Sequence, residues 1–435
     1  MRRLTWVVLL AVLVAPAMFG SGSSDDLAGQ EIVVFTWDVA GPETSMVIQY
    51  VPEFTKATGI KVNYSAMGFG DVATKAATIF AAGSDAVDVV ATWKSTINQF
   101  GAPGYLTDIT DLLPKGYADG MTSALNSFKY KGRIYGMPVM QSFRFFYYNK
   151  KLFKDAGLDP EKPPKTWAEA MQMAKALTKD TNGDGKIDQW GMLPTGIGDA
   201  DNSVMDFQLL YYLCGGGPLF DANDVPTFNS PAGVKALKIY KDMFDLGVVD
   251  PASWTIDTGN DRRARYIQGV TAMVIEWPAT WKTVNNAAAS KVKGDIGIAV
   301  MPMIDQPASI SGDEGLSISK FSKKQKAALE FLKYLTSPAV NKDSTLRLGW
   351  LPVQKSVAAD NDVRSNPNLL PMLKVADEQN KFFMDRFAAP YSSEVEKEAL
   401  GVAIVKAVKG EMSPEEALKW AEAKSKEIVA SYKKK

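Results

Sequence analysis

Apolar residues recur with two different periods in the first part of the chain. Residues 31–36 form a short apolar, β-branched run, which predicts a buried strand. Met46, Tyr50 and Phe54 then recur every fourth residue, which predicts one face of a helix that ends at the following glycine. The pattern as a whole predicts strands over 31–36, 60–64 and 87–91, with helices over 42–58 and 71–82 between them. This βαβαβ order predicts a parallel sheet and an α/β fold.

The alternation of strands and helices continues beyond residue 130. Thr166 with Glu169, and Ser413 with Glu416, have the spacing of a capping box, and each pair predicts the start of a helix. The predicted extended segments are 133–138, 143–148, 270–275, 295–300 and 315–319, and the predicted helices are 166–177, 231–246, 261–268 and 322–336.

Tryptophans follow three of the predicted strands directly. They are Trp37, Trp93 and Trp277. In open α/β sheets, ligands bind just beyond the carboxyl ends of the strands. The placement therefore predicts that these rings face a ligand crevice instead of the hydrophobic core.

Composition narrows the chemistry further. The 435 residues include ten tryptophans and no histidine, which disfavours histidine-based hydrolase triads, zinc sites and haem sites. The 49 basic and 49 acidic residues cancel, so no nucleic acid or anionic membrane is expected as a partner. Cys214 is the single cysteine, which excludes a disulfide within the chain and predicts a small buried hydrophobe.

The N-terminal residues have the three-part layout of a secretory signal. Two arginines follow the first methionine and precede an apolar run over residues 4–14, which is too short to span a bilayer. We therefore predict a signal peptide over 1–20, a flexible leader over 21–29 and an exported protein. Ser21 stands where a lipoprotein would carry its acylated cysteine, so no lipid anchor is expected.

Six short segments occur in an order that covers nearly the whole mature chain. They are KGRIYGMP (131–138), YYNKKLFKDAGL (147–158), PKTWAE (164–169), the segment from Ala272 to Trp277, the segment 327–338 and GWLPV (349–353). Together they resemble the extracellular solute-binding proteins of bacterial ABC importers, in the family that carries sugars.

The resemblance implies a type II periplasmic-binding fold with two lobes and a hinge between them. Lobe one is expected to contain residues 30–139 and 302–355, and lobe two residues 140–301 and 356–435. The implied function is capture of a sugar or oligosaccharide between the lobes, closure about the hinge and delivery to the ABC permease. The protein is expected to be monomeric, to lie in the periplasm or outside the cell, and not to be an enzyme.

Tryptophan suits a sugar site because its flat apolar face stacks on the C–H face of a pyranose, while nearby polar groups take the hydroxyls. Carboxylates accept two hydroxyl donors in a fixed geometry. The predicted ligand-binding residues are Trp37, Asp38, Glu43, Trp93, Gln141, Trp254, Glu276, Trp277, Trp281, Glu314, Trp350 and, by resemblance, Tyr391.

Residues 180–188 match the first nine positions of an EF-hand calcium loop. The predicted ligands are Asp180, Asn182, Asp184, Lys186 through its carbonyl, and Asp188. Gly191 occupies the place of the bidentate glutamate that completes such a loop. No cofactor is required, and two interpretations stay open: a structural calcium site, or a turn rich in Asx and glycine residues.

Other functions fit the same sequence. The fold could bind a sugar phosphate, a polyol or an anion, for which Arg144, Arg347 and Arg386 are candidate residues. An extracellular carbohydrate-active enzyme would need two carboxylates that flank the scissile bond, and the sequence cannot show such a pair. A sensor that presents its ligand to a membrane receptor would share every feature above.

Overall fold

The structure is a computed structural model that describes residues 27–37, 45–195, 197, 200–256, 259–286 and 288–434. The predicted signal peptide and residues 21–26 of the predicted leader lie outside these ranges. The last leader residues are ordered against lobe one, since Leu27 is buried and the backbone N–H of Gly29 donates to the carbonyl of Gly59 at 2.9 Å. The expectation of a flexible leader is therefore wrong for residues 27–29.

Within the described ranges the strands are β1 Glu31–Trp37, β2 Lys61–Met67, β3 Val89–Trp93, β4 Lys129–Tyr130, β5 Arg133–Ile134, β6 Met137–Met140, β7 Phe145–Asn149, β8 Trp190–Leu193, β9 Thr271–Glu276, β10 Ile296–Ala299, β11 Ser309–Ile310, β12 Glu314–Ile318 and β13 Phe383–Met384.

The described helices are α1 Val51–Thr58, α2 Phe69–Ala81, α3 Lys94–Gly101, α4 Lys150–Asp155, α5 Trp167–Leu177, α6 Ala200–Leu213, α7 Pro231–Asp245, α8 Gly259–Tyr266, α9 Ala279–Asn286, α10 Gln325–Leu335, α11 Pro338–Leu348, α12 Lys355–Ala358, α13 Asn361–Arg364, α14 Leu370–Gln379, α15 Ser392–Val395, α16 Gly401–Val408 and α17 Pro414–Lys433. Among them, none is both long enough and apolar enough to cross a membrane.

The first sheet has the strand order β2-β1-β3-β12-β6. Strand β1 pairs in parallel with β2 and with β3, and β12 runs antiparallel to β3 and β6. The parallel βαβαβ unit predicted from the sequence is thereby confirmed. Helix α1 is shorter than predicted and begins at Val51, because Pro52 has no N–H to donate and is best accommodated in the first turn.

The second sheet has the strand order β10-β7-β9-β8. Every residue of β7 is buried, because helices cover both faces of this sheet. Phe146 and Tyr148 point into one hydrophobic core, and Phe145 and Tyr147 point into another on the opposite face. The helix before β8 begins with the predicted capping box, in which the hydroxyl of Thr166 accepts the N–H of Glu169 at 3.2 Å.

Two α/β lobes result, one around each sheet, and chain segments cross between them side by side. The backbone N–H of Arg144 donates to the carbonyl of Ile310 at 3.2 Å, and that of Gly312 donates to the carbonyl of Ser142 at 3.0 Å. The N–H of Gln141 donates to the carbonyl of Leu351 at 3.3 Å. These crossings form the hinge region of the two-lobe fold that the sequence predicted.

The predicted start of the second lobe-one segment at residue 302 differs from the structure. Ala308 and Ile310 belong to a lobe-two core, and Met303 donates its N–H to the carbonyl of Lys165. The chain enters the lobe-one sheet only at Glu314. The apolar residues of 301–310 are compatible with the core of either lobe. Their periodicity therefore could not predict where the chain crosses from lobe two to lobe one. The other lobe boundaries stay predictions.

Candidate functional site

The carboxyl ends of the parallel strands of lobe one share one edge of the sheet. Trp37 is in register with Met67, and Trp93 is in register with Glu314 of the antiparallel strand β12. Glu314 is also opposite Met140, one residue before Gln141. Trp93, Gln141 and Glu314 are therefore neighbours at the edge that faces the hinge, as expected for a ligand site on such a sheet.

A β-bulge lies beside Glu314, on the neighbouring strand β6, where Val139 is the extra residue. The pairing of β12 with β6 shifts register between Glu314 and Gly315, and bulges of this kind re-aim side chains beside functional sites. Gly315 is required there, since a Cβ atom would lie 2.1 Å from the carbonyl oxygen of Met137. By the two-residue period of a strand, Glu314 continues the row of the core residues Leu316 and Ile318.

Burial dominates the electrostatics of Glu314. Its Oε2 atom is enclosed and has no hydrogen-bond partner in the described part of the chain. Burial raises the pKa of Glu314 to about 8, the charge of Arg263 lowers it, and the charge of Asp313 raises it. Because Arg263 belongs to α8 in lobe two, the two lobes approach each other at this point.

Asp313 ties lobe one to the crossing segments. Its carboxylate accepts the hydroxyl of Ser127 at 2.7 Å and the backbone N–H of Ser142 at 3.0 Å. Burial raises the pKa of Asp313 to about 6, although these two hydrogen bonds oppose the change. Asp313 therefore has a structural role at the hinge, which the sequence pattern did not reveal.

Trp277, at the end of β9 in lobe two, lies beside the crossing segment that leads to Glu314. The guanidinium of Arg144 lies over its ring at 4.2 Å, so that face is occupied by a cation–π contact. A Cβ atom on Gly312 would lie 2.5 Å from Cη2 and Cζ3 of the ring, which shows how closely the indole approaches the hinge. We call Trp93, Gln141, Glu314 and Trp277 the interlobe site.

Glu276, which precedes Trp277, is placed differently from its predicted role. It is fully buried, and its carboxylate binds Arg262, Arg263 at 3.2 Å and the hydroxyl of Thr280 at 2.8 Å. Burial alone would raise its pKa, but the charges of the arginines prevail and lower the pKa to about 2. In this arrangement the carboxylate orders lobe two and has no free oxygen surface for a ligand.

Three further predicted residues are core residues instead of exposed platforms. Trp37 and Trp350 are 3% and 4% exposed and belong to the core of lobe one. Tyr391 is buried in lobe two, where its hydroxyl donates to Asp224 at 2.6 Å. Large aromatic rings bury readily at the ends of strands, so position at a strand end alone does not distinguish a ligand platform from core.

The other predicted ligand residues have contacts of their own within the protein or fall outside the described residues. Trp281 donates its Nε1–H to the carbonyl of Asn368 at 2.6 Å. Trp254 is 40% exposed and its ring packs against Phe244, with 5.1 Å between centroids. Asp38 and Glu43 fall outside the described residues. Ligand contacts by these residues stay predictions.

The three arginines that the sequence offers as candidates for binding an anionic ligand all have partners within the protein. Arg144 donates to Thr195 at 3.0 Å and to the carbonyl of Ile275 at 3.2 Å. Arg347 pairs with Asp343 at 3.0 Å, and Arg386 pairs with Glu396 at 3.3 Å.

The acidic loop 180–188 is closed by its own hydrogen bonds. Asp180 accepts the backbone N–H groups of Gly183 and Gly185 at 2.7 Å each, and Asp188 accepts that of Thr181 at 2.9 Å. Asn182 and Asp184 accept N–H groups two residues ahead. These are Asx turns, and no group of three or more acidic or cysteine side chains suited to a metal ion occurs among the described residues.

The sequence interpretation missed Arg262, Arg263, Gly312 and Asp313. The Arg262–Arg263 pair on a helix was a usable signal, because two adjacent arginines beside a strand that ends in glutamate need a buried counter-charge. Asn98 was also missed. Its side chain donates from lobe one to the carbonyl of Ala388 in lobe two at 2.9 Å.

Two α/β lobes joined by crossing segments, with aromatic and acidic side chains where they meet, define the two-lobe class of solute-binding proteins. The sequence matches the model of the bacterial extracellular solute-binding protein family over residues 40–342, and the chain belongs to that family.

Relatives and solved structures agree with this assignment. A probable amino-acid ABC transporter periplasmic-binding protein of Sinorhizobium fredii is 27% identical, over 73% of this chain and 71% of its own. The solute-binding protein of Agrobacterium radiobacter K84 in complex with ribitol is 25% identical, with a TM-score of 0.80 over 92% of this chain and 99% of its own. A tagatose-bound solute-binding protein of Thermotoga lettingae has the same fold, with a TM-score of 0.82 at 23% identity over 92% of this chain and 100% of its own.

Proposed function

We propose that this protein captures a sugar, oligosaccharide or polyol between its lobes and delivers it to an ABC permease. The observation that carries the proposal is the interlobe site, where a partly exposed tryptophan, an amide and a carboxylate from lobe one meet a second tryptophan from lobe two. A ligand that contacts both lobes favours the closed state, because only that state offers both sets of contacts.

Two solved structures with this fold support a polyhydroxy ligand. The Agrobacterium radiobacter protein was solved with ribitol, and a Thermotoga maritima structure with the same fold holds maltose. Ribitol and maltose share repeated hydroxyl groups and carry no charge. Trp93 supplies an apolar face for the carbon skeleton, and Gln141 and Glu314 supply polar groups for the hydroxyls.

We further propose that the protein works as an exported monomer without catalytic activity or a required cofactor. The family consists of extracellular binding proteins, and the relatives are components of transporters. Incubation with maltose and longer maltooligosaccharides, followed by chromatography of the sugars, tests the absence of hydrolysis. Conversion of any of them by purified protein would contradict this part of the proposal.

A thermal-shift screen tests the proposed function. The mature chain is heated with neutral mono- and oligosaccharides, polyols, sugar phosphates, uronic acids and amino acids. A ligand at about 100 times its Kd stabilises the folded state by about 2.7 kcal/mol, which raises the melting temperature. We expect a rise with at least one sugar or polyol. A response to amino acids alone would contradict the proposal.

A further inference from the structure

We propose that Arg144 is a positioning residue for the ligand: its guanidinium holds the indole of Trp277 in the orientation that presents the ring to the interlobe site, and its backbone ties that orientation to the hinge region. The inference rests on the proposed function and deepens it, because it names a residue that determines affinity without touching the ligand. Arg144 is fully buried and acts through the ring that it supports.

The backbone of Arg144 lies in the hinge region. Its N–H donates to the carbonyl of Ile310, in the crossing segment 309–313, at 3.2 Å. Its carbonyl oxygen accepts the hydroxyl of Ser309 at 3.1 Å and the side-chain amide of Gln379. Three partners therefore fix the point from which the side chain extends.

Two directed hydrogen bonds fix the guanidinium itself. Nη1 donates to the carbonyl of Ile275 at 3.2 Å, and Nη2 donates to the hydroxyl of Thr195 at 3.0 Å. Nη2 also lies 3.6 Å from a carboxylate oxygen of Asp206. Because a guanidinium is planar and rigid, two such bonds set the tilt of the whole group. A lysine ammonium is a single point of charge on a flexible chain and cannot reproduce this geometry.

The guanidinium covers one face of the Trp277 ring. Its central carbon lies 4.2 Å from the ring centroid, well within the range of a cation–π contact, which extends to about 6 Å. The far edge of the indole is limited by Gly312, where a Cβ atom would lie 2.5 Å from Cη2 and Cζ3. Contacts from both crossing segments therefore restrict rotation of the ring. Trp277 is nevertheless partly exposed, and the uncovered surface of its ring is available to a ligand.

The burial of Arg144 has an energetic cost that packing alone does not explain. Burial lowers the pKa of Arg144 to about 10, which leaves the group charged at neutral pH. Its neighbour Asp206 also accepts the backbone N–H of Thr195 at 2.6 Å, and Nε of Arg144 has no hydrogen-bond partner among the described residues. Hydrophobic side chains of similar volume often replace buried ion pairs without loss of stability. An orienting role for the guanidinium accounts for a charge at this position.

The size of the effect follows from the freedom of the ring. Without the guanidinium, the indole of Trp277 could occupy several orientations, and a ligand would have to order it on binding. Preorganisation of one rotatable side chain corresponds to roughly three- to tenfold in affinity. Because the supporting cation belongs to a crossing segment, the orientation of the ring also follows the hinge.

NMR of the indole N–H signals in ¹⁵N-labelled protein tests the inference, together with calorimetry of the tightest sugar or polyol from the thermal-shift screen. The signals of Trp277 and Trp190 are assigned by their loss in Trp277→Phe and Trp190→Phe. Arg144→Lys is compared with Arg265→Lys. Arg265 is the matched control, because it too lies over a tryptophan ring, 5.4 Å from the centroid of Trp190.

We expect Arg144→Lys to shift or broaden the Trp277 signal in the ligand-free protein, to leave the Trp190 signal in place and to weaken binding about three- to tenfold. Arg265→Lys should change only the Trp190 signal and should bind as wild type does. An unchanged Trp277 signal in Arg144→Lys would overturn the inference, as would unchanged affinity or an equal loss of affinity in Arg265→Lys. If wild type binds no sugar or polyol, the proposed function is contradicted, and the Trp277 signal still tests whether Arg144 holds the ring.

Thr195→Val keeps the test decisive if Arg144→Lys does not fold. It removes the hydroxyl that accepts the hydrogen bond from Nη2 and leaves the guanidinium in the chain. The Trp277 signal should change in this variant as well. An unchanged signal would overturn the inference.

Discussion

Replacement of Glu276 by glutamine should destabilise lobe two markedly while leaving its shape intact. The carboxylate is fully buried and binds Arg262, Arg263 and Thr280, so its removal leaves two arginine charges without their counter-ion. The pKa falls from the usual 4.5 to about 2, and this difference corresponds to about 3 kcal/mol of stability at neutral pH. The cost of breaking a buried ion pair from one side is of similar size, about 3–5 kcal/mol.

The sign of the pH dependence follows from the lowered pKa. The contribution of Glu276 is fully present above the unfolded value of 4.5 and is lost as the pH falls towards 2. Urea unfolding followed by circular dichroism at pH 7 and at pH 3 to 4 measures both effects.

Glu161→Gln is the matched control, because Glu161 forms an exposed ion pair with Lys150 and should cost less than about 1 kcal/mol. A loss below about 1 kcal/mol for Glu276→Gln at pH 7 would refute the reasoning. So would a variant that loses stability in parallel with wild type as the pH falls through this window.

Two other features of the structure give direct predictions. Gly312→Ala should destabilise the protein by about 1–3 kcal/mol in urea unfolding, because its Cβ would lie 2.5 Å from the Trp277 ring. The control Gly217→Ala has open space around it and should have no such effect. Equal unfolding of the two variants in urea would contradict the close packing at Gly312. EDTA should leave the melting temperature of the protein unchanged. In the loop 180–188, backbone N–H groups already donate to the carboxylate oxygens of Asp180 and Asp188. A fall of several degrees that calcium reverses in wild type and not in Asp184→Asn would instead establish a calcium site.

Much of the fold was predictable because local chemistry decides it. The capping box at Thr166 and Glu169, and the one at Ser413 and Glu416, place two helix starts correctly. The βαβαβ pattern gives the parallel part of the lobe-one sheet. The point at which the chain re-enters lobe one was not predictable, because apolar residues such as Ala308 and Ile310 fit either core.

The candidate site was predictable only in part, for a different reason. A tryptophan at the end of a strand can stay partly exposed or close the core, and Trp93 and Trp37 illustrate the two cases: Trp93 is partly exposed and Trp37 is buried. Likewise Glu314 and Glu276 are both acids at strand ends: Glu314 is partly exposed with an enclosed Oε2 atom, and Glu276 is fully buried. Tertiary partners decide between them, since arginines on the preceding helix α8 bind the carboxylate of Glu276, whereas Oε2 of Glu314 has no donor among the described residues. No sequence period encodes such partners.

Binding of a sugar by a Trp93→Ala variant tests the central claim most directly. Calorimetry with the tightest sugar or polyol from the thermal-shift screen compares wild type, Trp93→Ala and Trp420→Ala, in which the lost ring lies on the C-terminal helix α17. We predict that Trp93→Ala weakens binding at least about tenfold, or about 1.4 kcal/mol, and that both variants remain folded. Trp420→Ala should bind as wild type does. Unchanged affinity in folded Trp93→Ala would contradict a ligand site between the lobes at this edge.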